Sequence, residues 1–118
     1  MFRLKDLKED YFRDKKEFQK DIIYNNKVYG KIHARNFKGS FVLTDKKMYT
    51  YIHLDINEHN RGRNAPIYEF KQYFNENTSL EDFKIEFDKI SRKWEKMALY
   101  ILKLEDWEDN EETENCED

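Results

Sequence analysis

Residues 80–104 read LEDFKIEFDKISRKWEKMALYILKL and contain the clearest structural pattern in the chain. Their apolar residues recur at alternating steps of three and four: Leu80, Phe83, Phe87, Ile90, Trp94, Met97, Ile101 and Leu104. This spacing places the apolar side chains along one side of an α-helix. Ser79 precedes the run as an N-cap, and the acids that follow it oppose the helix dipole. The pattern predicts a long amphipathic C-terminal helix.

Two arrangements could bury this apolar seam. In the first, which we favour, the helix packs across one face of a sheet. In the second, the helix forms a homodimer with the same helix of another copy. Residues 97–102 are apolar nearly all round, so that end of the helix requires a partner in either arrangement.

Between residues 20 and 56 the period of the apolar residues changes to two, which is typical of strands. Strands are predicted at 21–24, 27–35, 40–44 and 47–56. Turns are predicted at Asn25-Asn26, where Asn tolerates positive φ, at 36–39 and at Asp45-Lys46. These segments predict a four-stranded antiparallel meander.

Pairing across these turns divides the side chains between two faces, because directly opposed residues share a face. The core face is predicted to carry Ile23, Val28, Ile32, Ala34, Phe41, Leu43, Met48, Ile52, Leu54 and Ile56. The second face is predicted to carry Tyr24, Tyr29, Lys31, His33, Arg35, Ser40, Val42, Tyr49, Tyr51, His53 and Asp55.

The remaining segments complete an α+β fold. Leu4, Leu7, Tyr11 and Phe18 recur at helical spacing and predict an N-terminal helix over 3–19. Pro66 follows a loop over 57–65 and predicts a short helix over 66–74. Residues 1–104 are therefore expected to form a single α+β domain, and residues 105–118 an acidic, flexible, disordered tail.

The charges are distributed unevenly between these two parts. All 22 Lys and Arg residues lie in 1–104 together with 16 of the 25 Asp and Glu residues, which gives the domain a net charge of +6. The tail carries the other nine acids and no base. This asymmetry is typical of a mildly basic domain that carries an acidic tail.

Catalytic and metal-binding patterns find little support in this sequence. The only cysteine is Cys116, and the three glycines form no phosphate loop, so we expect no enzyme and no cofactor. A metal site at His53, Asp55 and His59 is disfavoured, and His33 is expected two strands away from His53. Without a secretory or membrane-spanning segment, a cytoplasmic location is expected.

The second face suggests binding. Tyrosines that alternate with basic residues resemble platforms on which unpaired bases stack while cations meet phosphates. The candidate binding residues on the sheet and in the loop beside it are Tyr29, Lys31, His33, Arg35, Tyr49, Tyr51, Arg61 and Arg63. The competing interpretation is an ordinary or helix-covered sheet face.

The run Arg35-Asn36-Phe37-Lys38-Gly39, which leads into a predicted strand, resembles a turn in the single-stranded-DNA-binding domains of the positive-cofactor-four family. Those domains also place strands before a long helix. The two additional helices predicted here depart from that arrangement, so no family residue is transferred to this chain.

These observations support two hypotheses. The first is a small non-enzymatic protein that binds single-stranded nucleic acid through the aromatic and basic face, with the acidic tail competing for that face or recruiting a partner. The alternative is an inhibitor or adaptor of viral or mobile-element type that binds a protein target through the aromatic face or the C-terminal helix. The domain charge of +6 is modest for a dedicated nucleic-acid binder.

Overall fold

The computed structural model describes residues 2–39, 47–57 and 66–117, with only the backbone described for 57, 66, 67 and 105–117. A four-stranded antiparallel sheet has the order β1-β2-β3-β4. Its strands are β1 Gln19–Tyr24, β2 Lys27–Lys38, β3 Met48–Asn57 and β4 Pro66–Phe74. A long helix, α1, covers Leu80–Glu117. The predicted α+β class, the antiparallel sheet and the long C-terminal helix are confirmed.

The strand assignments differ from the prediction in one respect that changes the pairing. Residues 36–38 continue β2 instead of forming a turn, and β2 pairs directly with β3. Asn36 is buried, and its Nδ2 donates to the Lys8 backbone oxygen at 2.7 Å. This residue type is common in turns, but here its side chain anchors the N-terminal segment. The predicted strand over 40–44 and the turn at Asp45-Lys46 lie outside the described residues.

The short helix predicted over 66–74 is wrong, because these residues form β4. Pro66 is compatible with both assignments, since proline is tolerated at the first position of a helix and also at the start of an edge strand. Residues 68–74 pair one by one with β3, so their side chains alternate between the two faces of the sheet as in a strand.

The N-terminal helix predicted over 3–19 is also wrong. Two short 3-10 turns, Leu4–Asp6 and Lys16–Phe18, are joined by irregular backbone in which Asp10 has a φ of 59°. Backbone N–H groups of this N-terminal segment bond to distant residues instead of to the preceding helical turn. Leu4 N–H donates to the Thr78 backbone oxygen, and Asp10 N–H donates to the Asn36 backbone oxygen. The apolar side chains still fill the core, with Leu4, Leu7, Phe12 and Phe18 buried.

The core lies between α1 and one face of the sheet. Its centre is a group of phenylalanine rings around Phe83, whose centroid lies 5.1 Å from that of Phe12, 5.8 Å from Phe18 and 4.9 Å from Phe74. The sheet contributes buried aliphatic side chains: Ile22, Ile32, Ala34, Ile52, Leu54 and Ile56. The predicted packing of the helix on the sheet is therefore confirmed.

Two details of the core face correct the prediction. Ile23 and Val28 are more than half exposed, at 57% and 55%, while Ile22 is fully buried. A bulge between Ile22 and Ile23 leaves Tyr29 without a directly opposed residue in β1. Ile23 and Val28, which lie beyond the bulge, therefore do not follow the alternation predicted for the core face. The Asn25-Asn26 turn is confirmed, with φ values of 50° and 64°.

Along α1, the apolar seam rotates relative to the predicted stripe. Phe83, Phe87 and Ile90 are buried as predicted. Further along, the buried positions become Ala98 and Leu102, while Leu104 is 43% exposed. A straight α-helix has 3.6 residues per turn, so a stripe spaced at about 3.5 residues drifts around its surface. Ser79 is the N-cap as predicted, since its Oγ accepts from the Asp82 N–H at 3.1 Å.

Candidate nucleic-acid interface

The candidate interface is the sheet face opposite α1, which we call the outer face. Strand alternation and pairing place its side chains in rows across β2, β3 and β4. The rows are Phe37–Tyr49, Arg35–Tyr51–Tyr73, His33–His53–Lys71 and Lys31–Asp55–Glu69. Aromatic residues therefore gather at one end of the face and charged residues at the other.

The aromatic end contains four rings, Phe37, Tyr49, Tyr51 and Tyr73, which we call the aromatic cluster. Tyr51 is its centre and is only 6% exposed, with its ring 5.1 Å from Tyr73 and 5.9 Å from Phe37. Phe37 and Tyr49 stack at 5.5 Å with an interplanar angle of 29°. Tyr73 is 55% exposed. The buried Tyr51 supports the outer rings, which are the ones able to meet a ligand.

A cleft of about 660 Å³ opens beside the aromatic cluster. Its apolar wall is formed by Phe37, Met48, Tyr49, Tyr73 and Phe74, and its rim by Gly39, Lys47, Asn75, Glu76 and Asn77. The rim is shaped by a turn in which the Asn77 N–H donates to Asn75 Oδ1 at 2.8 Å. An apolar, ring-lined cleft with amide groups and the Lys47–Glu76 ion pair at its rim can take a planar, partly polar group.

A second, polar pocket of about 310 Å³ lies where β1 begins and the edge of β2 meets the N-terminal segment. We call it the basic pocket. Arg13, Lys31 and Arg35 line it together with His33, Gln19 and one carboxylate, Asp10. Within the described part of the chain, these three cations form no ion pair. Three cations against one carboxylate around a small pocket favour an anion.

His33, His53 and Glu69 form a hydrogen-bonded chain across the outer face. The His53 Nε2 lies 2.6 Å from Glu69 Oε1, and its Nδ1 lies 3.1 Å from the Nε2 of His33. The hydrogen bond from His53 lowers the pKa of Glu69. Burial, and then the charges of His53, Arg35 and Lys31, lower the pKa of His33 to about 4. His33 is therefore neutral at pH 7.

This contact corrects the expectation that His33 and His53 are two strands apart, because β2 and β3 are direct neighbours. Within the described residues, no group of three or more His, Cys, Asp and Glu side chains is arranged to hold a metal ion. His59, which belonged to the disfavoured metal site, lies outside them.

The structure brings most of the candidate residues together. Lys31, His33, Arg35, Tyr49 and Tyr51 lie on the outer face, but Tyr51 is buried there and cannot offer its ring to a ligand. The bulge displaces Tyr29 from the outer face. Its ring centroid lies 6.1 Å from that of Tyr24, and its side chain packs against the core. Arg61 and Arg63 lie outside the described residues.

Sequence reasoning missed Phe37, Tyr73, Lys71 and Arg13. Tyr73 and Lys71 were assigned to a helix, although the alternation of residues 67–73 would have placed them on one face of a strand. Phe37 was assigned to a turn. Arg13 reaches the site only through a long-range contact of the N-terminal segment, for which the sequence carries no local signal.

Comparisons of the chain with protein-family models, with curated proteins and with solved structures found no match. Among the described residues, no helix combines the length and the apolar character needed to cross a membrane.

Proposed function

We propose that this protein binds single-stranded nucleic acid on the outer face, with a base in the cleft beside the aromatic cluster and a phosphate in the basic pocket. The observation that carries the proposal is the proximity of two complementary features on one face. Phe37, at the cleft, and Arg35, at the basic pocket, are two residues apart on β2. Side chains at that separation share a face and stand about 7 Å apart.

Base stacking is the role of the outer rings of the aromatic cluster, of which Tyr73 is exposed and Tyr49 half-buried. Every base has a π-face, so rings such as Tyr49 and Tyr73 accept bases without strong sequence preference. The amides of Asn75 and Asn77 at the rim are able to hydrogen-bond the polar edges of a base. Stacking of this kind requires an unpaired base, which favours a single strand over a duplex.

Phosphate binding is the role of the basic pocket. Arg13 and Arg35 each present a planar fork of donors suited to phosphate oxygens, and Lys31 adds a mobile charge. Asp55 and Glu69, which lie on β3 and β4 in the same row as Lys31, repel a phosphate backbone. The strand is therefore expected to run along the Arg35 side of the face and to avoid these two acids.

The proposed activity is binding without catalysis, and we place it in the cytoplasm, since a single cysteine suits a reducing compartment. The acidic segment 105–118 competes with nucleic acid for the basic pocket or recruits a partner.

A titration with fluorescently labelled oligonucleotides at low salt tests the proposal. We expect single-stranded DNA or RNA to bind more tightly than a duplex of the same length. Arg35→Ala should weaken binding of all sequences alike and reduce the slope of log affinity against log salt by about one. Lys84→Ala, at an exposed lysine on α1, is the matched control and should change the affinity far less.

Absence of binding at low salt, with and without residues 105–118, would reject the proposal. The protein-binding alternative would then be tested by a pull-down comparing the unaltered protein with Tyr73→Ala and Tyr49→Ala. Tighter binding of duplex than of single strands would reject the stacking role of the cleft while leaving the basic pocket in place.

A further inference from the structure

The two edges of the sheet differ in how well they are protected against pairing with another chain. Natural edge strands are commonly short, bulged or interrupted by proline. β1 is six residues long and contains the bulge at Ile22 and Ile23. β4 is nine residues long, and its proline and its own register shift are confined to its first two positions, so it pairs regularly with β3 from Tyr68 to Phe74. β4 is therefore the open edge.

β4 also exposes apolar surface on the side of the sheet that carries α1. The helix contacts β4 through the ring pairs Trp94–Phe70 and Phe83–Phe74, but it leaves part of this side of the strand exposed. Tyr68 and Phe70 are 38% and 39% exposed there. The Trp94 ring of α1 lies 6.4 Å from Phe70 and is only partly buried. An apolar strip thus borders a strand whose outer edge has no partner strand among the described residues.

From these features we infer that β4 is a homodimer interface, in which the β4 strands of two copies pair antiparallel about a two-fold axis at Phe70. The two sheets then join into one sheet of eight strands. Phe70 lies opposite Phe70 of the second copy, and the two rings cover each other's exposed surface. This inference rests on the strand edge and not on nucleic-acid binding.

The charges of β4 select this register. With the axis at Phe70, each Glu69 lies directly opposite Lys71 of the second copy, which forms two attractive pairs. Sliding the axis to Glu69 would place the two glutamates opposite each other, and sliding it to Lys71 would do the same with the lysines. The charges of β4 therefore attract one another when the axis lies at Phe70 and repel one another when it lies at Glu69 or Lys71. A strand with this property is complementary to a second copy of itself.

A second copy is the occupant that this pattern fits best. The exposed residues 68–72 read YEFKQ, so glutamate and lysine flank the central Phe70 at equal separations. An isologous interface requires such self-complementarity, because each contact between residue i of one copy and residue j of the other is repeated between residue j of the first and residue i of the second. Nothing in the pairing depends on the seam of α1, so this dimer differs from one formed through the helix.

Sedimentation equilibrium of the full chain over a concentration series tests the inference. The mass of the unaltered protein should rise from the monomer value of 14.7 kDa towards twice that value. Lys71→Glu places one glutamate opposite each Glu69, so the two attractive pairs become two repulsive pairs. Dimerisation should weaken about tenfold. The double variant Glu69→Lys with Lys71→Glu reverses both charges and should restore the dimer. Lys84→Glu makes the same charge change on α1 and should have no effect.

Because Glu69 also accepts from His53, the double variant is checked for folding by circular dichroism. Phe70→Lys provides a second variant, since it places two lysines on the axis and should leave a folded monomer. An unaltered protein that stays monomeric, or one that dimerises equally well with Lys71→Glu, would overturn the inference. Dissociation by Tyr100→Glu alone would assign the dimer to the exposed surface of α1 instead.

Discussion

His33 and His53 lie on neighbouring strands with the Nε2 of the first 3.1 Å from the Nδ1 of the second. His53 Nε2–H donates to Glu69, so in the neutral pair the Nδ1 of His53 is an acceptor and His33 is the donor. A proton added to His33 would create a cation beside Arg35 and Lys31. The neutral form of His33 is therefore part of the folded structure.

Acidification should destabilise the fold between about pH 6.5 and pH 4. The pKa of His33 is about 4 in the folded protein against an ordinary value of 6.5. The unfolded chain consequently binds a proton that the folded protein does not, and the free energy of unfolding falls as the pH falls through this window. After allowance for solvent screening of this partly exposed ring, the loss is on the order of 1 kcal/mol. Urea denaturation at pH 7 and pH 5 measures it.

The control for this prediction is His33→Gln, whose amide retains a donor towards His53 but does not titrate. Carboxylates titrate in both proteins, so the difference between their pH dependences isolates His33. Identical losses of stability in the two proteins would contradict the assignment.

Tyr51 and Tyr73 should respond oppositely to substitution by alanine. Tyr51 is 6% exposed and supports the other rings, so Tyr51→Ala should cost about 3 kcal/mol of stability. Tyr73 is 55% exposed, so Tyr73→Ala should cost less than about 1 kcal/mol. Oligonucleotide binding should nevertheless weaken by about 1–3 kcal/mol in Tyr73→Ala. Chemical denaturation and fluorescence anisotropy separate the two effects, and a Tyr73 variant that binds normally would remove this ring from the site.

Substitutions along α1 should show a gradient of stability. Phe83 is fully buried among three other phenylalanine rings, and Phe83→Ala should cost about 3–5 kcal/mol. Trp94 is only partly buried and packs against the edge strand, so Trp94→Ala should cost clearly less. Denaturation midpoints measured under the same conditions test the order. A larger loss for Trp94→Ala would mean that its side chain is more deeply buried than the fold indicates.

The sequence predicted those features that depend on local patterns. The seam of α1, the Ser79 cap and the Asn25-Asn26 turn all follow from residues close together in the chain. The faces of β3 were predicted correctly because Ile52, Leu54 and Ile56 alternate and Met48 lies in phase with them. Periodicity and turn chemistry act over a few residues, so they are visible without any knowledge of the fold.

The errors arose where distant contacts override local preference. Asn36 is a typical turn residue, yet its burial against Lys8 and Met48 holds it inside a strand. The N-terminal segment has helical spacing, but its backbone bonds reach residues 76–80. At the candidate site, the basic pocket joins residues from the N-terminal segment to β2. Such a combination depends on tertiary contacts and could not be predicted from spacing alone.

The acidic segment 105–118 should be dispensable for folding. The backbone of α1 extends to Glu117, but acids at the C-terminal end of a helix oppose its dipole and repel one another. Its helical structure should therefore contribute little stability, and the predicted flexibility of the segment stays a prediction. Deleting residues 105–118 should leave the melting temperature nearly unaltered. A large fall in melting temperature would show that Trp107 or the acids stabilise the domain.

The same deletion should strengthen oligonucleotide binding if the segment competes for the basic pocket. Removing its nine acids leaves the domain with a net charge of +6. The gain should be largest at low salt and should shrink as salt screens the charges. A full-length variant with each of these acids replaced by its amide, Asp→Asn or Glu→Gln, is the control, because it removes the charge while keeping the length. If that variant binds as tightly as the truncated protein, charge causes the competition. If neither binds more tightly than the unaltered protein, the segment does not reach the outer face, and recruitment of a partner becomes its expected role.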